Sequence, residues 1–543
     1  MRSSTHSGRK LRPHARLWEP RAWVAVGHRS SGKTSLAEIV LHAGRVIRQP
    51  GEIGSGTTLL DWTPESTAHE QTRGIATAWI DVDDATPVVW VDTPGTPALR
   101  HEQDRALHAG DAAMLVVDTT RGIEQGTRRA LGRMPAAHPC VVALTKADRG
   151  LTVEGVWQLS DEIGKALDRR AVAVHLPWVE GGTLIGIIDL IEQRALRYDP
   201  ERTGAWSPEP IPATLRDIVW SAREALSEAV ALTDDALLEQ YLEDLELPWA
   251  IVEAGLERAV ADGLVVPVVV TSAALRIGGE PLLGVLRRFH PPHRLAVVQD
   301  DDGQERPYDP EDGFVATVVA SQWDKEGKPL HLLRVCGGTP GRRPLHNPRT
   351  NQTVKVGKWY RLRGPRRAVI QHPGPGAWMA CVDDHDLRPG DTLAERVQVQ
   401  SPLPDPPVVA WWVPDDEAPD GFVDALEAIV RTDPGLSCAR DGDGTRIAGT
   451  CEDHLHLAIE RMEGRVSLPV PTYLPPVPYR ERPARPSEGV VGTLRHTGEH
   501  GLVDAFGEVR IAVAPGDPDI AMTYTDACDD EDALPRRFRP AVK

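Results

Sequence analysis

Four short apolar runs in the first half of the chain, at 23–26, 88–91, 141–144 and 266–270, each end in polar or glycine residues. Runs of this length with turn residues behind them predict buried strands. The first run leads through a glycine-rich loop into SLAEIVLHAG, which has a helical pattern. Open α/β sheets bind ligands beyond the carboxyl ends of their strands, so we expect an α/β domain with its functional site at that edge.

The loop after the first run has the pattern G-x-x-x-x-G-K-T, with the strand before it and the helix after it that a P-loop requires. Backbone N–H groups of such a loop surround phosphates, the lysine supplies positive charge and the threonine hydroxyl can ligate magnesium. The predicted phosphate-binding residues are Gly27, His28, Arg29, Ser30, Ser31, Gly32, Lys33, Thr34 and Ser35.

The second run ends in Asp92-Thr93-Pro94-Gly95. A carboxylate at a strand end can hold magnesium through water, and the glycine N–H can meet a terminal phosphate. We therefore predict Asp92 and Gly95 in the nucleotide site, with Thr34 and Asp92 as the metal ligands.

The third and fourth runs end in residues suited to a guanine base. Thr145-Lys146-Ala147-Asp148 has the [N/T]-K-x-D arrangement, in which the Asp accepts two hydrogen bonds from guanine and the Lys stem packs on the base. After the fourth run, a backbone N–H near Ser272 or Ala273 can meet the guanine carbonyl. Each motif alone is weak, but four in this order, each at a strand end, favour GTP or GDP over ATP.

The composition sets limits on the function. The chain has 543 residues, enough for several domains, and 41% of them are hydrophobic. Six scattered cysteines without a C-x-x-C pair argue against a zinc site or a disulfide framework. The net charge of -18 argues against general DNA binding, although a protein with this total charge can still carry a local basic face. Without an apolar segment of membrane-spanning length or a signal peptide, we expect a cytoplasmic protein.

The ordered motifs resemble those of the translational GTPases, specifically elongation factor G and its elongation factor G-like paralogues. The resemblance extends to HLPWVEGGTLIGIIDLIEQRALRYD, which is similar to the inserted subdomain of that family, and to the motif from Gly449 to Leu455. The family's Q-T-G-G core stands here as His496-Thr497-Gly498-Glu499. The resemblance implies GTP or GDP with Mg²⁺ as cofactors, the ribosome as partner, and a monomer without DNA or membrane partners.

We expect a multidomain chain, in which an α/β P-loop GTPase domain is followed by β-barrel and α+β domains. Alternating short strands predict the barrel, and the third domain is predicted as a ββαβ-type fold. The sequence stops before the remainder of the family's fourth domain and its fifth, which leaves a fragment or a natural shortening open. The expected divisions are a disordered basic tail at 1–20, a G domain at 21–294 with an inserted subdomain at about 150–265, a β-barrel at 295–400, an α+β domain at 401–482 and an incomplete fourth domain at 483–543.

Two positions depart from the family pattern. The first switch, R-G-I-T in active members, ends here in Ala76, and Thr77 faces the opposite way in an extended segment. The second switch, D-T-P-G-H, has Thr96 where the family's histidine positions the attacking water. Such groups supply about two to four orders of magnitude in rate, so the resemblance implies slow hydrolysis, or a water positioned in another way.

Three hypotheses follow: a ribosome-dependent GTPase of the translocation or recycling type, a GTP-gated binding protein with little hydrolysis, and a regulatory paralogue that has left the ribosome. A generic ATPase leaves Lys146 and Asp148 unexplained. In the third domain, Glu452 and His454 are interpreted as a helix-capping residue and a packing residue, because the sequence offers no third metal ligand.

Overall fold

The computed structural model describes residues 20–81, 86–199, 204–289, 291, 297–299, 304–324, 327–341, 344–382, 386–395, 398–399, 406–476, 485–497, 503–515 and 525. The predicted basic tail therefore lies outside the described residues, apart from Pro20. By its internal contacts the chain divides into two units, Met1–Leu474 and Pro475–Lys543. None of the described helices is long and apolar enough to cross a membrane.

A largely parallel sheet forms the centre of the first unit. Its strand order is β2-β3-β1-β4-β5-β11-β6, where β11 is Val265–Val270, and only β2 runs antiparallel to its neighbour. β4 and β5 are apolar and completely buried, as expected for strands covered on both faces. The elements are β1 Arg21–Val26, α1 Lys33–Ala43, α2 Pro64–Ala68, β2 Ala76–Ile80, β3 Val88–Asp92, α3 Arg100–Ala109, β4 Ala112–Asp118, α4 Gln125–Arg133, β5 Cys140–Thr145, α5 Val153–Leu167 and β6 Arg170–Ala173.

Along the chain between β6 and β11, a four-stranded antiparallel sheet and three helices form. The four strands pair in the order β10-β9-β8-β7. This segment accounts for most of the length predicted as an insertion. The elements are β7 His175–Glu180, β8 Thr183–Asp189, β9 Arg194–Tyr198, β10 Trp206–Glu209, α6 Arg216–Ala231, α7 Asp235–Asp244, α8 Trp249–Ala261, β11 Val265–Val270 and α9 Gly279–Arg288.

The next region is built from short antiparallel strands, as its alternating pattern predicts. Most of its strands continue the central sheet, because β18 pairs with β2 at Arg363 and Ala78, whereas β12, β13 and β22 form a separate three-stranded sheet. Two hydrogen-bonded arginines, Arg361 and Arg363, hold Asp81 at this junction. The strands are β12 Val297–Gln299, β13 Glu305–Pro307, β14 Val315–Trp323, β15 Pro329–Gly337, β16 Leu345–Asn347, β17 Gln352–Val354, β18 Trp359–Arg363, β19 Arg366–Ile370, β20 Trp378–Val382, β21 Thr392–Ala394 and β22 Gln398–Val399.

The third region has the order strand, helix, strand, strand, helix, which corrects the predicted ββαβ order. The hairpin follows the first helix, because the turn at 442–443 separates two strands within SCARDGDGTRIAG. The three strands pair in the order β23-β25-β24 and pack on both helices around a separate apolar core. The elements are β23 Val409–Pro414, α10 Phe422–Thr432, β24 Ser437–Asp441, β25 Gly444–Gly449 and α11 Glu452–Val466.

The second unit contains one described hairpin, formed by β26 Ser487–Thr497 and β27 Val503–Val513. His496 and Thr497 end its first strand, whereas Gly498 and Glu499 lie outside the described residues. The fold class predicted from the sequence is confirmed by these mixed sheets behind an N-terminal α/β domain, whereas the individual domain boundaries stay predictions.

Candidate functional site

The P-loop joins the buried strand β1 to helix α1, and its backbone takes conformations that glycine permits. Gly27 and Gly32 have φ values of 145° and 96°, and Ser30 has a φ of 62°. A Cβ at Gly27 would lie 2.4 Å from the Val116 carbonyl oxygen, so this glycine is required by the close approach of β4. The loop ends at the N-terminus of α1, where free N–H groups and the helix dipole favour an anion.

Lys33 is buried within this loop. Its Nζ donates hydrogen bonds to the carbonyl oxygens of Gly27 and His28, at 3.2 and 2.9 Å. Burial lowers its pKa to about 8, against the attraction of Asp92 and Asp61. Gly95 lies directly against it, because a Cβ at that position would be 2.6 Å from the lysine Nζ and 2.9 Å from the Arg29 Cα. The structure therefore brings the glycine of D-T-P-G to the P-loop, as predicted.

The two predicted magnesium ligands are in contact. The Thr34 hydroxyl donates a hydrogen bond to Asp92 Oδ2 at 2.8 Å, and Asp92 Oδ1 is buried with no hydrogen-bond partner among the described residues. Burial, with the nearby carboxylate of Asp61, raises the pKa of Asp92 to about 7. A bound cation could therefore be contacted by Asp92 Oδ1, and by the Thr34 hydroxyl in place of its present bond to Asp92.

Two further residues of this cluster were missed by the sequence interpretation. Thr72 Oγ1 lies 2.9 Å from Thr34 Oγ1 and 3.5 Å from Asp92 Oδ2. Asp61 is buried beside them, and burial raises its pKa against the lowering influence of Thr72 and Lys33. Both lie in an irregular segment between α1 and β2, where no periodic pattern marks a side chain as inward-facing. We call residues 61–76 the first switch segment and residues 92–101 the second.

The residues predicted for the base lie together at the ends of β5 and β11. Ser272 Oγ donates a hydrogen bond to Asp148 Oδ1 at 2.5 Å, while the Ser272 backbone N–H is taken by the Ile277 carbonyl oxygen. Of the two amides predicted to meet the base, that of Ser272 is therefore already hydrogen-bonded within the chain. Lys146 adopts a left-handed conformation with a φ of 59°.

Hydrogen bonds join the base end of the site to the phosphate end. Thr145 Oγ1 donates to the Ser31 carbonyl oxygen at 2.6 Å, and Lys146 Nζ donates to the Ser30 carbonyl oxygen at 3.0 Å. Lys146 also donates to Asp118 Oδ2 at 2.6 Å, and this bond, with those from Thr120, lowers the pKa of Asp118 although burial opposes it. Asp118 thus holds the Lys146 side chain in place, and no sequence motif pointed to it. Ser35, in the first turn of α1, completes the predicted set.

The structure places the two residues that depart from the family's switch patterns, Ala76 and Thr96. Ala76 opens β2 and is paired opposite Asp92 in the sheet, so a methyl group stands where the family has a hydroxyl. The Thr77 hydroxyl is buried, with 2% of the residue exposed, and no described residue hydrogen-bonds it. Thr96 precedes a short 3₁₀ turn at Pro97–Leu99 and is partly exposed.

No nearby histidine takes the place of the missing one among the described contacts. His28 Nδ1 accepts a hydrogen bond from the Gly126 N–H at 3.2 Å, and its Nε2 lies 3.5 Å from Glu124. His101 is buried against the third region, with its Nε2 2.9 Å from Asp433 Oδ1.

Helix α11 of the third region contacts both switch segments. Arg461 donates hydrogen bonds to the Glu65 carboxylate and to the Arg73 carbonyl oxygen, both at 3.0 Å. Glu460 on the same helix pairs with His69 and Arg73. On the second switch segment, Ala98 and Leu99 form a small apolar cluster with Leu457. A rearrangement of either segment would therefore alter the packing of α11.

The interpretation of the two α11 residues requires a correction. Glu452 is the first residue of the helix, and Cys451 stands at the cap position with no side-chain hydrogen bond. His454 is buried as expected, and Asp433 and His101 converge on it, so three residues of metal-ligand type lie together without Glu452.

The chain is similar to known proteins along most of its length. The family model described as the elongation factor Tu GTP binding domain matches residues 19–292. The chain is 28% identical over 533 residues to an elongation factor G-like protein of Synechocystis, covering 95% of this chain and 76% of that protein. It is 26% identical over 549 residues to elongation factor G of Gluconobacter oxydans, with the same coverage of both proteins.

A solved structure resembles most of this chain. The crystal structure of a Thermus thermophilus protein superimposes with a TM-score of 0.77 and 26% sequence identity. The match covers 92% of this chain and 73% of that one. The similarity therefore extends well beyond the N-terminal α/β domain.

Proposed function

Because this chain belongs to the elongation factor G-like family of GTP-binding proteins, we propose that it binds GTP with magnesium and acts on the ribosome as a translation factor. The observation that carries the proposal is the convergence of Lys33, Gly95, Asp92 and Asp148 at one edge of the parallel sheet. A nucleotide lying across this edge would meet cationic and N–H groups at its phosphates and a carboxylate at its base.

The residues at the base end would favour guanine over adenine. Asp148 presents a carboxylate held by Ser272, and a carboxylate can accept two hydrogen bonds from the N–H groups on the guanine edge. The Lys146 stem, fixed by Asp118, would cover one face of the base. The Ala273 amide would donate to the guanine carbonyl. Adenine offers neither the paired donors nor that carbonyl acceptor.

Replacing Asp148 with asparagine tests the guanine assignment. Loss of charge-assisted hydrogen bonds should weaken GTP binding roughly 100-fold, while xanthosine triphosphate, which offers an acceptor where guanine has a donor, should bind better than to the unmodified chain. Competition against a fluorescent nucleotide gives both affinities. Asp161→Asn, on exposed α5, is the matched control and should change neither. Unchanged GTP affinity in Asp148→Asn would contradict the assignment.

The oxygen-rich cluster fits Mg²⁺. Hard cations of this size prefer carboxylate, hydroxyl and water oxygens, and the buried Asp92 Oδ1 lacks a partner among the described residues. Thr34 and Asp92 would hold the ion, and when bound it would neutralise charge on the terminal phosphates. Thr34 would exchange its present bond to Asp92 for a place among the ligands.

We propose that Thr72 supplies the first-switch hydroxyl that Ala76 lacks. Its Oγ1 already lies 2.9 Å from Thr34, whereas the Thr77 hydroxyl is enclosed on the other side of β2. Thr72→Val should therefore weaken magnesium-dependent GTP binding about fivefold, the value of one ordinary hydrogen bond, and Thr77→Val should not. Equal effects of the two isosteric changes on magnesium-dependent affinity would remove Thr72 from this role.

Affinity for GTP with magnesium should be greatest between about pH 7 and pH 8. Cation binding needs the Asp92 carboxylate, whose pKa is raised to about 7, so affinity falls as that group is protonated at lower pH. Phosphate binding needs the Lys33 ammonium, whose pKa is lowered to about 8, so affinity falls again at higher pH. Each limb should approach tenfold per pH unit. A flat profile, or an acid limb that persists in Asp92→Asn, would contradict this.

A second candidate function is a GTP-gated binding protein that dissociates without efficient turnover. Thr96 stands at the family's histidine position, while His28 and His101 are engaged elsewhere. The contacts of α11 with both switch segments give the gate a physical basis, because a nucleotide that orders those segments would alter the packing of the third region.

A further inference from the structure

Three ligand-bearing side chains converge where the second switch segment meets the third region. They are His101 on α3, Asp433 directly after α10, and His454 on α11, and one ligand atom from each lies within 4.8 Å of the others. His101 and Asp433 are each 2% exposed and His454 is 0% exposed. We propose that this His-Asp-His cluster binds a zinc-type divalent transition-metal ion, at a site separate from the nucleotide.

The donor atoms face one another. His101 Nε2 lies 2.9 Å from Asp433 Oδ1, and His454 Nε2 lies 3.0 Å from Asp433 Oδ2. A tetrahedral zinc ion with bonds of about 2.0–2.2 Å needs its ligand atoms a few tenths of an ångström further apart.

The two ring nitrogens of His101 differ in their surroundings. Nε2 lies 2.9 Å from Asp433 Oδ1, an ion-pair distance, whereas Nδ1 has no hydrogen-bond partner among the described residues. Unpaired polar atoms in a fully buried site are costly. A metal ion held between the two side chains would replace this ion pair.

The surrounding charges leave one carboxylate for the ion. Arg461 lies 3.6 Å from Asp433 Oδ2 but donates its shorter bond to Glu65, and buried Arg105 is accompanied by buried Glu102. With these cations balanced, Asp433 supplies the negative charge of the cluster.

The ligand types favour zinc over magnesium. Imidazole nitrogen is a ligand of zinc and neighbouring first-row metals, whereas magnesium takes oxygen donors. Thr450 contacts the other ring nitrogen of His454: its backbone N–H donates to Nδ1 at 3.3 Å, and its hydroxyl lies 3.1 Å from the same atom.

Gly435 provides the space for both rings. A Cβ at this position would lie 2.9 Å from His454 Cε1 and 3.0 Å from His101 Nδ1. A bound ion would connect the helix that follows D-T-P-G to the third region, and so fix one of the contacts through which that region meets the switches.

The test titrates the full chain, freed of metal by a chelator, with Co²⁺ in the presence of excess Mg²⁺. One equivalent should give the intense visible absorption of tetrahedral cobalt, and one equivalent of Zn²⁺ should abolish it. His101→Ala and Gly435→Ala should weaken Co²⁺ binding roughly 100-fold or more, while exposed His372→Ala should match the unmodified chain.

Circular dichroism identifies any variant that fails to fold, and His101→Gln, which retains size and polarity, then takes its place. Absence of the cobalt spectrum in the unmodified chain would overturn the proposal and leave an internal hydrogen-bonded cluster. A spectrum that persists unchanged in folded His101→Ala or His101→Gln would also overturn it, because the ion would then lie elsewhere.

Discussion

Replacing Lys33 with alanine is expected to abolish measurable GTP binding. The ammonium group is held inside the P-loop by two carbonyl oxygens and lies against Gly95, at the place where the outer phosphates would lie. Two charge-assisted hydrogen bonds from this ammonium group to the phosphates would contribute about 3–6 kcal/mol. Without them, GTP affinity should fall roughly 10²- to 10⁴-fold. Equilibrium titration with a fluorescent GTP analogue measures the loss.

The matched control is Lys165→Ala. Lys165 is an exposed lysine on α5 that pairs with Asp161, far along the chain from the P-loop, and its removal should leave GTP affinity unchanged. Thermal unfolding should show that Lys33→Ala is folded, since no apolar packing is removed from the central sheet. Tight GTP binding by a folded Lys33→Ala protein would refute the site assignment.

Replacing Thr96 with histidine is expected to raise the rate of GTP hydrolysis. Threonine lacks an imidazole and is too short to position a water molecule, and the two nearby histidines are engaged with Glu124 and Asp433. A positioned acid–base group contributes about 10²- to 10⁴-fold, so single-turnover hydrolysis on ribosomes should increase within that range. GTP affinity should change little, because residue 96 lies beyond Gly95.

Thr96→Ala tests whether a higher rate of hydrolysis in Thr96→His comes from the added imidazole or from the removed threonine. It should hydrolyse GTP as slowly as the unmodified chain, and Ala76→Thr combined with Thr96→His should be at least as fast as Thr96→His alone. Rapid, ribosome-stimulated hydrolysis by the unmodified chain, with no gain in Thr96→His, would show that the chain positions water in another way.

The sequence was sufficient to predict the residues at the strand ends. Asp92 ends β3 and Thr145 ends β5, because an apolar run on a buried strand has a definite end and the polar residue after it must lie at the edge of the sheet. The P-loop was predictable for the same reason, since strand, glycine-rich turn and helix follow one another without interruption.

Other parts of the site depend on contacts that no local pattern records. Thr72 and Asp61 lie in an irregular segment, and only its path beside Thr34 makes them neighbours of the phosphate site. His101 and Asp433 are distant in sequence, and the packing of α11 against both switch segments brings them together. His454 was consequently interpreted without its two partners.

The sharpest test of the account is sedimentation of the unmodified chain with ribosomes in the presence of a non-hydrolysable GTP analogue, GDP or an ATP analogue. Since GTP should order the switch segments that contact α11, we expect the chain to pellet with ribosomes when the GTP analogue is present and to remain in the supernatant with GDP or the ATP analogue. Lys33→Ala should remain in the supernatant with every nucleotide. Failure to pellet with the GTP analogue, or equal pelleting with all three nucleotides, would contradict a GTP-dependent factor that acts on the ribosome.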